Sequence, residues 1–349
     1  MNSCSSRPGS NLSAMKIDIY QPLTFSELGK RDNQEDSVAP APDEATTADR
    51  LFVLCDGMGG HENGEVASGT VCDTIVGYLN SHWKKDELLP DQLLLDALER
   101  ACCQVDALDS GEGKGMGTTL TLVALHAGGC TAMHLGDSRI YHLRTSERRW
   151  AYISRDHSLV FDLYQAGEIS YEQMRTSSQR NIITKAIRAG KGERSRPDIV
   201  HIGDLQPGDY LFLCSDGVLE QLDNDSLLQL LCGKQSDQEK MRRLVQLTQN
   251  SHDNHSAHLI HISGVELEPG EKPADDERTS RCNALNVTPR GAALPQPHHK
   301  TGLWLWLALA VIAVGIAAFF LLSGQDKGDG QDPPASEIIE MKPITHSTE

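Results

Sequence analysis

Short apolar runs recur through the first 265 residues, with the length and spacing of β-strands. Runs of four to eight apolar or β-branched residues, bounded by turn residues, are typical of strands. Three of them follow one another with only AGG and GDS turns between them, which predicts a meander. The predicted strands cover 15–20, 118–126, 130–135, 139–144, 210–217 and 257–263.

Three longer stretches between these strands have helical spacing of apolar residues, at 65–83, 91–108 and 238–250. The strands cluster in runs and do not alternate regularly with helices. This arrangement favours an α+β fold with antiparallel sheets over a doubly wound parallel sheet.

A continuous apolar stretch, LWLWLALAVIAVGIAAFFLL, occupies residues 303–322 and contains no charged side chain. Twenty helical residues span about 30 Å, the hydrocarbon thickness of a bilayer. Trp304 and Trp306 lie at one end, where interfacial aromatic residues are expected. The stretch therefore predicts a transmembrane helix.

Composition divides the rest of the chain around this helix. The first strand starts at Met15, after a Ser- and Asn-rich segment that lacks the apolar core of a signal peptide. The prediction is a disordered segment at 1–14, a folded domain at 15–265, a Pro-, Gly- and charge-rich linker at 266–302, the helix at 303–322 and a disordered acidic tail at 323–349.

The formal net charge of −17 argues against nucleic acid as a partner, since phosphate binding needs clustered Lys and Arg. The nine cysteines are odd in number and include no CxxC pair. They are typical of reduced thiols in a cytosolic domain and do not indicate zinc.

Two apolar runs end in the same dipeptide: LFVLCDG at 51–57 and LFLCSDG at 211–217. They place Asp56 and Asp216 at strand ends. Either pair could simply form a turn, which is the commoner use of Asp-Gly. Further carboxylates are Asp137, at the turn between two predicted strands, Asp253, shortly before the last predicted strand, and the adjacent pair Glu35 and Asp36 in RDNQED.

If these carboxylates converge, they need cations between them. Two like charges about 4 Å apart repel by roughly 4 kcal/mol at an effective dielectric constant near 20. Oxygen-only ligand sets suit Mg²⁺ or Mn²⁺. Gly57 would let its backbone carbonyl approach such an ion, because it has no Cβ.

Seven motifs in order along 31–263 resemble the PPM, or PP2C-type, family of metal-dependent protein phosphatases, in its bacterial branch. They are RxxxED, DGMGGH, GTT, GDSR, SRDHSL, CSDG and DNxS. The resemblance implies two antiparallel sheets packed as a sandwich and flanked by helices, a four-layer αββα arrangement.

The resemblance also implies a role for each matched residue. Asp56 would bridge two metal ions, with Glu35 and the Gly57 carbonyl on one ion and Asp216 and Asp253 on the other.

For the residues around this pair, the resemblance implies that Asp137, with Asp216, would hold a weaker third ion and that Asp36 would hold metal-bound water. Arg31 would bind the substrate phosphate. Eukaryotic members place a histidine proton donor where Met58 stands here. The nearby His61 could donate the proton or serve a structural role.

These observations together predict a Mg²⁺- or Mn²⁺-dependent protein serine/threonine phosphatase. Its substrates would be phosphoproteins of a cognate kinase. One helix would anchor it in the bacterial inner membrane, with the phosphatase domain in the cytoplasm. Two alternatives stay open: an inactive scaffold with the same fold, and another two-metal phosphoester hydrolase such as a nuclease.

Overall fold

The computed structural model describes residues 15–59, 63–85, 87–109, 115–190 and 194–267. The predictions for 1–14, 268–302, the helix at 303–322, the tail at 323–349 and His61 lie outside these residues. None of the helices within the described ranges is long and apolar enough to cross a membrane.

The described residues form thirteen strands and seven helices. The strands are β1 (Met15–Ile19), β2 (Leu23–Glu27), β3 (Asp36–Ala39), β4 (Leu51–Met58), β5 (Gly117–Thr118), β6 (Leu120–His126), β7 (Gly129–Leu135), β8 (Arg139–Arg144), β9 (Arg149–Ile153), β10 (Ile187–Arg188), β11 (Asp198–Ile202), β12 (Tyr210–Cys214) and β13 (His255–Leu267). The helices are α1 (Asn63–His82), α2 (Asp91–Leu108), α3 (Leu159–Gln165), α4 (Tyr171–Thr176), α5 (Asp216–Leu219), α6 (Asn224–Leu231) and α7 (Asp237–Thr248).

The strands form two antiparallel sheets. One has the order β1-β13-β12-β8-β9, with β2 also paired to β13. The other has the order β10-β5-β4-β6-β7-β11, with β3 paired to β4. The three strands of the predicted meander are present as β6, β7 and β8, but the meander itself is wrong: β6 pairs with β7, whereas β8 pairs with β12 and β9 in the first sheet.

Alternate residues of each central strand face different cores, as the two-residue period of a strand requires. In β4, Val53 and Cys55 pack with the apolar faces of α1 and α2, whereas Phe52 points into the layer between the sheets. In β12, Leu211 and Leu213 enter that same layer.

The opposite face of β12 packs against the helices on the other side of the sandwich. Phe212 lies with Leu227 of α6 and Leu244 of α7 in a third apolar cluster. The order of layers is therefore helices, sheet, sheet and helices, which confirms the predicted fold of the folded domain.

The sequence predictions differ from the structure at several element ends. Strand β12 ends at Cys214, and Asp216 opens helix α5, whereas the sequence prediction extended the strand to residue 217. Strand β4 continues past Asp56 to Met58, because its last two residues pair with β5.

Helices α3 and α4 were not predicted, because seven and six residues are too short to show a helical period. Their N-caps carried the usable signal. Ser158 and Ser170 each accept a hydrogen bond from the third residue of the helix that follows.

Candidate metal centre and its relatives

Asp36 and Asp56 face each other across neighbouring strands, as direct partners in the register of β3 and β4. Side chains of directly opposed residues lie on the same face of a sheet. Asp36 is 6% exposed, and its Oδ2 accepts a hydrogen bond from Ser215 Oγ at 2.8 Å. Its Oδ1 is buried and has no hydrogen-bond partner among the described residues. A buried carboxylate oxygen in that state is an available ligand.

The backbone of Asp56 is fixed by the two threonines of the GTT motif. Asp56 N donates to Thr119 Oγ1 at 3.0 Å, and Thr118 Oγ1 and Thr119 N donate to Asp56 O at 2.9 and 2.8 Å. Thr119 Oγ1 also lies 2.8 Å from Ser138 Oγ, the residue after Asp137. One threonine side chain thus couples the Asp56 strand to the Asp137 turn.

Gly57 allows helix α1 to begin close to the loop that carries Glu35. A Cβ at Gly57 would lie 2.2 Å from Gly64 O and 2.7 Å from Glu35 O. Gly57 N donates to Glu35 O at 3.0 Å. The glycine is therefore required by backbone packing, whether or not its carbonyl binds an ion.

The second Asp-Gly pair, Asp216 and Gly217, likewise uses its glycine to allow a close approach of another backbone segment. A Cβ at Gly217 would lie 2.1 Å from Asn254 O, so the glycine after Asp216 admits the segment that carries Asp253. Asn254 in turn holds the Glu35 loop. Its Oδ1 accepts from Glu35 N at 2.8 Å, and its Nδ2 donates to the carbonyls of Leu28 and Asn33 at 2.9 and 3.0 Å. Sequence reasoning assigned no role to this asparagine, although it lies in the DNxS motif.

Asp137 lies in the predicted turn between β7 and β8. It is 7% exposed, and its Oδ1 is a second buried oxygen with no partner among the described residues. Asp137 and Asp216 both line a cavity of about 130 Å³ beneath α4 and the segment around Arg180. The two carboxylates predicted to share a weaker ion thus border one cavity.

The SRDHSL motif supports the Asp137 turn from outside the acidic cluster. His157 Nδ1 accepts a hydrogen bond from Gly136 N at 3.2 Å, and His157 N donates to Gly136 O at 2.9 Å. Asp156 accepts two hydrogen bonds from Arg139, from Nε and from one terminal nitrogen, each at 2.6 Å. Both contacts fix residues within two positions of Asp137.

His134, His157 and Asp198 bring three potential ligand atoms within 4.8 Å of one another at the outer edge of the second sheet. The two imidazole rings stack in parallel, with 4.7 Å between centroids and 1° between planes. A metal ion must lie near the plane of each ligating ring, so parallel stacked rings cannot share one. His134 Nε2 already bonds Arg155 O at 2.8 Å, which marks this cluster as structural support.

Burial dominates the electrostatics of the acidic cluster, and mutual repulsion adds to it. Burial, and then the charges of Asp36, Asp216, Asp137 and Asp253, hold the pKa of Asp56 well above its usual range. Burial raises the pKa of Asp36 to about 7 and that of Asp216 to about 6, with Asp253 adding to both. Burial also raises the pKa of Glu35, against the opposing charge of Arg31.

The donor set fits hard divalent cations. Hydrogen bonds hold the backbones of Glu35 and Asp56 and the side chain of Asp36, and two buried carboxylate oxygens lack partners among the described residues. The charges that act most strongly on Asp56 are all acidic. Such a set favours Mg²⁺ or Mn²⁺ over softer metals.

The structure brings together most of the residues predicted for the site. Asp36, Asp56, Asp137, Asp216 and Asp253 are coupled electrostatically, and Glu35 and Gly57 adjoin them. Arg31 lies at the rim, where a terminal nitrogen donates to Asp253 Oδ2 at 2.7 Å. Of the predicted set, His61 alone lies outside the described residues.

Residues 28–257 match the family model described as protein phosphatase 2C. The chain belongs to this family. A protein phosphatase PhpP of Streptococcus pneumoniae is 31% identical over 219 residues, which are 62% of this chain and 86% of PhpP. The serine/threonine protein phosphatase PstP of Mycobacterium tuberculosis is 35% identical over 207 residues, 58% of this chain but only 36% of PstP.

Solved PPM structures have the same fold. The M. tuberculosis serine/threonine phosphatase PstP/Ppp superposes with a TM-score of 0.60 at 29% identity, covering 71% of this chain and all of that one. A structure of the PstP catalytic domain in complex with two manganese ions gives 0.58 at 27% identity over 71% of this chain. This chain is thus a PPM-type protein serine/threonine phosphatase with the metal dependence of its family.

Proposed function

We propose that this PPM phosphatase hydrolyses phosphoserine and phosphothreonine in proteins at a membrane, using water activated by two Mg²⁺ or Mn²⁺ ions and a weaker third. The observation that carries the catalytic part is the meeting of carboxylates from five separate segments, two of which have a buried oxygen without a hydrogen-bond partner among the described residues. In a purely structural cluster, a buried carboxylate oxygen rarely lacks a hydrogen-bond donor.

The ligand roles follow from position. Asp56 is central, because four other aspartates raise its pKa, and it would bridge the two ions. Glu35 and the Gly57 carbonyl would complete one site, and Asp216 with Asp253 the other. Asp137 and Asp216, which share a cavity, would hold the third ion. Cations bound there would lower the pKa of water and offset charge on the phosphoryl group.

The protein groups around the ions position the reactants. Ser215 donates to Asp36 Oδ2, and no donor among the described residues contacts Asp36 Oδ1, so Oδ1 would accept a hydrogen bond from the attacking water. Arg31 is half exposed and has donors beyond the one engaged by Asp253, so it would bind the phosphate with a planar fork. The identity of the proton donor to the leaving oxygen, for which His61 is the candidate, rests on the sequence.

The proposed substrates are proteins phosphorylated by a cognate serine/threonine kinase. Support comes from the names of the relatives, which are serine/threonine protein phosphatases. Release of phosphate from a phosphothreonine peptide, dependent on Mn²⁺ and absent with plasmid DNA, is the expected result. Cleavage of DNA without peptide hydrolysis would favour a nuclease instead.

Membrane anchoring is proposed from the apolar stretch at 303–322 and its two tryptophans. The full-length protein, expressed in bacteria, should sediment with membranes and resist extraction at high salt, whereas a chain ended at residue 302 should not. Protease added outside spheroplasts should remove an epitope at the C-terminus and leave one at the N-terminus intact. Equal sedimentation of both chains would contradict the anchor, and loss of the N-terminal epitope would contradict a cytoplasmic phosphatase domain.

A further inference from the structure

Two exposed basic side chains meet beside the predicted phosphate-binding arginine. Lys30 Nζ lies 3.5 Å from His252 Nε2. Both side chains are exposed, His252 at 75%. Neither residue belongs to the motifs that identify the family.

Backbone packing fixes this pair at the edge of the metal centre. Lys30 immediately precedes Arg31, and His252 immediately precedes Asp253. Their two loops cross at Gly29, which has φ +63° and where a Cβ would lie only 2.1 Å from Asp253 O. The Arg31–Asp253 ion pair joins the same loops on the side of the acidic cluster. The Lys30–His252 pair and the phosphate-binding Arg31 therefore belong to one rigid corner.

The carboxylate of Glu220, beside this corner, is already engaged. Glu220 accepts hydrogen bonds from Arg180, from Ser251 Oγ at 3.0 Å and from His252 N at 2.9 Å. Its Oε2 lies 4.0 Å from His252 Nδ1. Arg180 and Arg31 each have a carboxylate partner. Within the described part of the chain, Lys30 contacts an imidazole and not an anion.

We propose that Lys30 and His252 form a subsite for an anionic side chain of the substrate, close to the phosphorylated residue. The anion could be an aspartate or glutamate or a second phosphate, since all present oxygen acceptors to an ammonium and an imidazole N–H. This proposal deepens the proposed function and rests on it.

The geometry limits where that anion lies. Lys30 and Arg31 are adjacent residues, and an extended peptide advances about 3.3 Å per residue. The anion should therefore lie within about three residues of the phosphorylated one.

The test uses the full-length protein with Mn²⁺ and a matched set of phosphothreonine peptides. In each peptide one flanking position, scanned over three residues on both sides, carries alanine, glutamate or a non-hydrolysable phosphonate analogue of phosphothreonine. The readout is the ratio of kcat/KM for the anionic peptide to that for the alanine peptide. The variants are Lys30→Ala, Lys30→Glu, His252→Ala and the double alanine variant, with Lys84→Ala as a control on an exposed lysine just beyond the end of α1.

The wild type should prefer the anionic peptide by roughly three- to tenfold at one position, as expected for exposed charge pairs. The double variant should lower that ratio toward one, and Lys30→Glu should invert it. Preference for the phosphonate alone would identify a second phosphate as the ligand, whereas preference for both would identify any anion.

Equal kcat/KM for all peptides in the wild type, with hydrolysis intact, would overturn the subsite alone. A preference that survives in the double variant would do the same. Absence of hydrolysis of every phosphopeptide would overturn the proposed function and the subsite together.

Discussion

Replacing Asp36 by asparagine should stabilise the metal-free protein, although Asp36 is buried and lies in the candidate site. In the structure its Oδ2 accepts from Ser215, and its Oδ1 has no partner in the described residues. Asparagine can keep the first contact through its amide oxygen while removing a negative charge from a group of aspartates. The amide nitrogen can donate to a neighbouring carboxylate.

The sign and size of the effect follow from the pKa of Asp36, which burial raises from 3.8 to about 7. A raised pKa means that the folded state binds the proton more tightly than the unfolded state does. The free energy of unfolding of the metal-free protein therefore falls as pH rises through this interval. At about 1.4 kcal/mol per pKa unit, the penalty above pH 7 is at most about 4 kcal/mol.

Urea unfolding in EDTA at pH 8 and at pH 5 would measure this penalty. At pH 8 the Asp36→Asn variant should be more stable than the wild type by about 1–4 kcal/mol, and the gap should narrow at pH 5. Saturating Mn²⁺ should stabilise the wild type more than the variant.

Asp209→Asn provides the matched control, because Asp209 is equally buried but bonds His142 and Arg144 at 2.8 and 3.0 Å. Loss of that charge should destabilise the protein by roughly 3–5 kcal/mol. An Asp36→Asn variant that is less stable than the wild type at pH 8 in EDTA would refute the claim that burial and the neighbouring carboxylates make the Asp36 charge unfavourable.

Three further substitutions test how the site is supported. Gly57→Ala should reduce activity more than tenfold and lower the melting temperature, because the added Cβ would collide with Gly64 O. Its control is Gly77→Ala on the open face of α1, which should be neutral or stabilise the protein by about 0.5–1 kcal/mol. Thr119→Val should cost about 1–2 kcal/mol of stability and lower kcat, since Asp56 N loses its acceptor. Arg139→Lys should weaken Mn²⁺ binding at the weakest site in a calorimetric titration, because a lysine cannot bond both oxygens of Asp156 beside the Asp137 turn.

The α+β class could be predicted because its signals are local, whereas the packing of two sheets as a sandwich was implied by the family resemblance. Strands β6, β7 and β8 match the short apolar runs at 118–126, 130–135 and 139–144, and the alternation of Phe52 and Val53 between two cores follows from the two-residue period of a strand. The ends of β4 and β12 could not be placed in this way. Tertiary contacts decide them, such as the pairing of Gly57 with Thr118.

The candidate site depends on the meeting of carboxylates that are far apart in the sequence, and the spacing of apolar residues carries no information about such contacts. Asp36 meets Asp56 through strand register. The segment that carries Asp253 approaches Gly217 so closely that an added Cβ there would lie 2.1 Å from Asn254 O. Family resemblance supplied the ligand set. The roles of Thr119 and Asn254 appear only when their hydrogen bonds to Asp56 N and Glu35 N are seen. Both residues lie in recognised motifs, and that membership was the available signal.

The central claim is that the converging carboxylates bind the ions on which hydrolysis depends. The most direct test is phosphate release from a phosphothreonine peptide by the full-length protein with Mn²⁺, compared with Asp216→Asn and with Asp96→Asn on the exposed face of α2. The account predicts that EDTA abolishes the activity. Asp216→Asn should lower both the activity, by at least a hundredfold, and the affinity for Mn²⁺, whereas Asp96→Asn should leave the activity unchanged. Full activity in the Asp216→Asn variant, or in EDTA, would contradict it.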